Sequence, residues 1–70
     1  MNNRQELIYN WLANNPGLHT SNEIAKGVEL SEFATRVTLR GLISNDFVIM
    51  ESIEIEVNEE IITTEAYTVK

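Results

Sequence analysis

VELSEFATRVTLRGLISNDFV, residues Val28–Val48, decides the fold, because a turn, a helix and the start of a strand follow one another in it without a linker. Ser31 is a good N-cap, its hydroxyl suited to accept a free backbone N–H of a helix that starts at Glu32. Thr35, Leu39, Leu42 and Ile43 then recur at helical spacing, which stacks them on one face that must be buried. Asn45-Asp46 breaks the period, and Phe47-Val48-Ile49 opens an extended apolar run. The spacing predicts a helix from Glu32 to about Asn45.

On the N-terminal side, Val28 and Leu30 are apolar residues that can pin the turn to a core, and Gly27 is the residue expected to close the preceding helix in the left-handed conformation. That helix is expected from Ser21 to about Lys26, with Ile24 and Ala25 inside. Thr20-Ser21-Asn22-Glu23 opens it as a capping box. Leu18-His19 has room for only a very short strand, and Asn15-Pro16-Gly17 stops whatever precedes it. Between Arg4 and Asn14, Leu7, Ile8, Trp11 and Leu12 recur at helical spacing and predict an amphipathic first helix.

On the C-terminal side the period changes to two. Phe47, Ile49, Ile53, Ile55 and Val57 alternate with Val48, Met50, Ser52, Glu54 and Glu56, the pattern of a strand with one wet face. Asn58-Glu59 is the natural hairpin tip, and Ile61 to Val69 supplies the returning strand, where Tyr67 and Val69 share a face that can cover the helices. Three helices followed by a hairpin predict an α+β fold, a single winged helix-turn-helix domain over residues 1–70 with the hairpin as its wing. No repeat, linker or low-complexity segment interrupts it.

Seventy residues bury only about 60% of the unfolded surface and give a few kcal/mol of stability, too little scaffold for a multi-step active site. The chain has no cysteine, so neither a disulfide nor a thiolate metal site is available to staple it. No apolar run reaches the roughly 20 residues a bilayer requires, and Met1-Asn2-Asn3-Arg4 lacks a signal-peptide character, so a cytoplasmic protein is expected. The net charge is −6, unevenly spread. Residues 1–48 carry four basic and five acidic side chains, residues 49–70 one basic and six acidic. The acidity therefore belongs to the hairpin.

The run Leu30-Ser31-Glu32-Phe33-Ala34-Thr35-Arg36-Val37-Thr38-Leu39 resembles the recognition helix of the fimbrial-operon regulators of the FaeA/PapI-like family. The shared pattern is a small hydroxyl residue, any residue, an aromatic, two of any kind, an arginine, two of any kind and a leucine. Ser31, Phe33, Arg36 and Leu39 fit it, and the likeness continues more weakly from Leu7 through Ile24-Ala25 to Phe47-Val48, over most of the chain. The resemblance implies a small winged-helix protein that acts on double-stranded DNA at fimbrial promoters together with a leucine-responsive regulator, with Arg36 in the DNA-reading position. The chain departs from the family at Asp46, where a glycine is usual before the exit strand, and in its strongly acidic wing.

The residues of this helix support that expectation through their own chemistry. At about 100° per residue, Arg36 and Arg40 lie about 40° apart, with Phe33 and Val37 beside them and away from Leu42. Arginine can grip guanine O6 and N7 with two hydrogen bonds, and Phe33 or Val37 can touch thymine methyls. Phe33, Arg36, Val37 and Arg40 are thus candidate DNA contacts, and the resemblance implies Ser31 as a fifth. The plainer reading is a solvated ladder of Glu32, Arg36 and Arg40 worth tenths of a kcal/mol. Glu56, Glu59 and Glu60 at the wing tip would be repelled by phosphate, which makes them candidates for a protein partner, or simply solubilising charges that protect edge strands.

Other chemistry finds little support. His19 is the only histidine, without a second ligand beside it, and reads as a turn residue. Trp11 falls on the apolar stripe of the first helix and reads as core. Glu59-Glu60 falls at a hairpin tip, which offers no pocket for acid-base chemistry, and reads as a solvated charge run. A non-enzymatic regulator without a cofactor is expected, and a protein-interaction winged helix, an adaptor or DNA mimic using its acidic hairpin, is the alternative. A basic helix held apart from the acidic hairpin favours the first, a continuous negative surface the second.

Overall fold

In a computed structural model describing residues 1–70, every helix begins at a side chain that accepts a backbone N–H. The first helix, α1 (Asn3–Asn14), starts at Asn2, whose Oδ1 accepts the Gln5 N–H at 2.8 Å while the Gln5 side chain accepts the Asn2 N–H at 3.0 Å. The sequence reading passes over this reciprocal cap, because Asn2 stands where the capping box usually has Ser or Thr. The second, α2 (Ser21–Val28), is capped as expected by Thr20 and Glu23. The third, α3 (Glu32–Ser44), has Ser31 Oγ accepting the Ala34 N–H at 3.1 Å. Each cap is worth about 1 kcal/mol.

The end of α2 corrects the sequence reading. Gly27 stays helical, and the left-handed residue is Glu29, at φ 58°, with the Leu30 N–H bonded to the Ala25 carbonyl at 3.1 Å. The glycine serves packing instead, since a Cβ at Gly27 would overlap the indole of Trp11 on α1. Past α3, Asn45 caps the helix and Asp46 takes φ 63°, the left-handed step that turns the chain into the sheet.

Three strands form an antiparallel sheet in the order β1-β3-β2, with β1 at His19–Thr20, β2 at Val48–Val57 and β3 at Glu60–Val69. β1 pairs His19 with Tyr67 and Thr20 with Ala66, one residue later than the Leu18-His19 expected. β2 and β3 pair without interruption from Val48↔Val69 to Val57↔Glu60. Asn58 and Glu59, at φ 51° and 67°, form the tip, the paired positive angles of a type I′ turn. The molecule is an α+β fold of three helices and a three-stranded antiparallel sheet.

Ile8 and Leu12 of α1, Ile24 and Val28 of α2, Leu39 and Leu42 of α3, and Val48 and Tyr67 of the sheet make the core, with Trp11, Leu30, Ile43 and Val69 around it. Leu7, expected inside, is exposed, and Ile43 is only partly buried. Thr35 is fully buried with no hydrogen-bond partner for its hydroxyl, while the buried Thr38 donates to the Ala34 carbonyl at 2.8 Å.

The sheet faces are the reverse of the expected ones. The ladder sets Val48 and Met50 on the same face as Val69 and Tyr67, the face the helices cover, and sets Ile49, Ile53, Ile55 and Val57 with Ile62 on the other. Val48 is 2% exposed and Ile49 39%. Phe47 also lies outside the core, in a T-shaped contact with Tyr9 whose ring centroids are 6.0 Å apart. Period-two alternation separates two sets of residues without saying which set turns inward. No helix is long and apolar enough to cross a membrane.

Candidate nucleic-acid interface

Burial divides α3 lengthwise. Thr35, Thr38, Leu39 and Leu42 hold it to the core, and Phe33, Arg36, Val37 and Arg40 form the exposed stripe on the other side. Phe33 is 78% exposed and Val37 51%, values that no intramolecular contact explains for side chains of this size. Ser31 stands exposed at the start of the stripe. Its Oγ accepts the Ala34 N–H, which leaves the hydroxyl proton for an outside acceptor such as a phosphate oxygen. The four residues picked out by their spacing therefore share one accessible face, with Ser31, which the resemblance adds, exposed at its start.

Arg36 has a neighbour in the free protein. Its Nη2 donates to Glu32 Oε1 at 3.1 Å, and the same oxygen accepts from Ser21 Oγ at 3.3 Å, tying the start of α2 to the start of α3. The first rung of the plainer ladder is thus real. An exposed ion pair contributes about 0–1 kcal/mol, whereas a bidentate arginine–guanine contact is worth about 1–3 kcal/mol, so the pair orients the guanidinium without holding it back from a base. Arg40 carries no ion pair.

Between α3 and the β2–β3 hairpin runs a groove of about 620 Å³, lined by Arg36, Leu39, Arg40, Met50, Glu65 and Tyr67 among others. Burial pushes the Tyr67 hydroxyl above its ordinary pKa, with Glu65 adding to the shift and Arg36 and Arg40 opposing it. The phenol stays protonated at neutral pH and can donate. On the opposite flank, the first residues of α1, including Arg4, border the stripe at Val37 and Thr38. Sequence reasoning missed Arg4 because its nearness to α3 depends on how the two helices pack.

The hairpin has the opposite sign. Glu56, Glu59 and Glu60 are exposed at its tip, and pairing sets Glu54, Glu56 and Glu65 on the helix-side face and Glu51 and Glu60 on the other. Basic stripe and acidic hairpin lie on separate elements and meet only in the groove, at Glu65.

His19 is a structural residue of the α1–α2 connection. Its Nε2 lies 2.8 Å from the Asn15 carbonyl and its Nδ1 3.4 Å from Glu23 Oε2, and its ring stands edge-on to Trp11 at 4.9 Å. The Thr20 backbone N–H and then His19 hold the Glu23 carboxylate below its usual pKa. No family model matches the chain, and no curated protein or solved structure matches it either, so the interface is characterised by its own geometry.

Proposed function

We propose that the protein is a winged helix-turn-helix transcriptional regulator in which α3 enters the major groove of double-stranded DNA and the β2–β3 hairpin is the wing. One observation carries this reading: an exposed stripe of two arginines, a phenylalanine and a valine lies on a helix whose opposite side is locked into the core. Arg36 reads a guanine edge, Phe33 and Val37 touch thymine methyls, and Arg40 and Ser31 hold the backbone. Arg4 adds a phosphate contact from the neighbouring helix.

Alone, such a domain binds weakly. Two cationic contacts to phosphate, from Arg40 and Arg4, give a salt dependence of roughly 0.9 per contact in log K per decade, and the acidic wing subtracts from even that. A partner already seated on the DNA supplies the missing affinity, in keeping with the resemblance to fimbrial-operon regulators and its implied leucine-responsive partner. A cytoplasmic, non-enzymatic regulator is the reading in full. A second reading, a protein-interaction winged helix, draws on the acidic hairpin.

Binding to promoter fragments, with and without a candidate partner regulator, tests the proposal. Arg36→Ala should cost about 1–3 kcal/mol at the cognate site, while Arg40→Ala weakens all sequences alike. Normal sequence preference in Arg36→Ala would reduce that residue to a surface ion-pair member and favour the second reading.

A further inference from the structure

In the strand order β1-β3-β2 the outer edge of β2 faces no other strand, so from Ile49 to Val57 alternate N–H and C=O groups point away from the sheet unpaired. Edge strands are ordinarily blunted by shortness, proline, charged side chains or a bulge. β2 is ten residues long, has no proline and pairs with β3 without a bulge, so its blunting is the charge of Glu51, Glu54 and Glu56, which a strand of opposite charge neutralises. Its two faces differ chemically. Ile53, Ile55 and Val57, with Ile62 across the ladder, make an apolar row on the side that no helix covers, and Ser52, Glu54 and Glu56 make a polar, acidic row on the other.

This edge offers main-chain hydrogen bonds together with side-chain rows of two kinds, the combination used in strand addition. Charge selects the occupant. A phosphate backbone is repelled by Glu54, Glu56 and Glu59, and a second copy joined edge to edge would set one acidic row beside another. We infer that the free edge of β2 is a docking site for an extended segment of a partner protein in which basic side chains alternate with apolar ones. The segment adds as a fourth strand, its apolar side chains continuing the Ile53–Ile55–Val57 row and its basic ones lying beside Ser52, Glu54 and Glu56. The inference rests on the proposed reading that α3 meets DNA beside a partner protein, and it places a protein contact at the strand edge of the hairpin where the sequence pointed to the Glu56, Glu59 and Glu60 tip.

The test is a titration of the full-length, 15N-labelled protein with a synthetic capped heptapeptide of alternating lysine and valine, followed by backbone amide shifts. Shifts concentrated on Ile49–Val57 are expected, together with at least tenfold weaker binding when the peptide amides of the pairing edge are N-methylated. Glu54→Lys combined with Glu56→Lys should weaken binding at least tenfold, in a variant whose unperturbed α-helical amide shifts show an intact fold. A glutamate-for-lysine peptide should not bind. Three outcomes overturn the inference: no binding, equal binding of a peptide with the same lysines and valines in two blocks, or a dimer in sedimentation equilibrium of the free protein whose protected amides are those of Ile49–Val57. DNA is absent from the titration, so failure here leaves the α3 reading standing, and failure of promoter binding leaves this result standing.

Discussion

The two ends of the β2–β3 ladder are built from similar side chains and end up in different surroundings. At the inner end Val48, Tyr67 and Val69 close over Leu39 and Leu42, while at the outer end Ile53, Ile55, Val57, Ile61 and Ile62 have no helix above them. Length explains the contrast. A helix of 13 residues such as α3 spans about 20 Å at 1.5 Å per residue, whereas a strand of 10 residues spans about 33 Å. The helices run out before the sheet does. Apolar alternation therefore records that a strand exists, and its burial is decided by what the rest of the chain can lay over it.

The largest effect that can test this contrast is the loss of Leu39. Leu39→Ala should destabilise the protein by about 2–5 kcal/mol, because the side chain is 1% exposed at the centre of the core. Ile61→Ala, at a position 69% exposed, should change stability by no more than about 0.5 kcal/mol. Urea denaturation of both variants measures the gap, and equal losses would mean the outer ladder is as well covered as the inner one.

Gly27→Ala comes next. Alanine favours a helix over glycine by about 1 kcal/mol, but the added methyl collides with Trp11, and overpacking of this kind costs about 1–3 kcal/mol. Net destabilisation is expected in the same denaturation experiment, and a Trp11→Leu background should relieve it. A more stable Gly27→Ala protein would show that the indole has room to move.

Two substitutions should stabilise by about 1 kcal/mol, one at each end. Thr35→Val removes a buried hydroxyl that has no partner and keeps the shape of the side chain. Glu59→Gly relieves a left-handed residue at the hairpin tip. Thermal melts read both. A gain from Glu59→Gly as large as the loss from Leu39→Ala would contradict the separation of the two ends.

The smallest effect is acid sensitivity within the helical body. The Glu23 carboxylate is held below 4.5, first by the Thr20 N–H and then by His19, so its contribution is complete above that value and disappears as pH falls through the lowered one. Urea midpoints between pH 7 and pH 3 should lose this component in Glu23→Gln. An unchanged acid response in that variant would assign the sensitivity to other carboxylates.

What the sequence disclosed follows how local each signal is. Ser31 and Thr20 could be read as caps because a hydroxyl three residues before its donor is a local fact, and the stripe of Phe33, Arg36, Val37 and Arg40 follows from the helical repeat alone. Gly27 was misread because glycine serves both left-handed turns and close helix approach, and only the position of Trp11 tells which. The inward face of β2 was misread because it is set by pairing with Tyr67 and Val69. The Ser21–Glu32–Arg36 chain and the nearness of Arg4 to Val37 join separate helices, and no spacing within one helix reports them.

The strand order also has a consequence for how the chain reaches its fold. β3 lies between β1 and β2 yet follows both in the sequence. Its pairing with β2 closes a loop of only the two residues at the tip, but its pairing with β1 joins Thr20 to Ala66, a closure whose length-dependent entropy is roughly 3 kcal/mol. Helix contacts and the hairpin can therefore form from neighbouring residues, whereas the seam between His19–Thr20 and Ala66–Tyr67 is expected to form late. That seam is also where the chain should open first in native-state hydrogen exchange, ahead of the amides beneath Leu39 and Leu42.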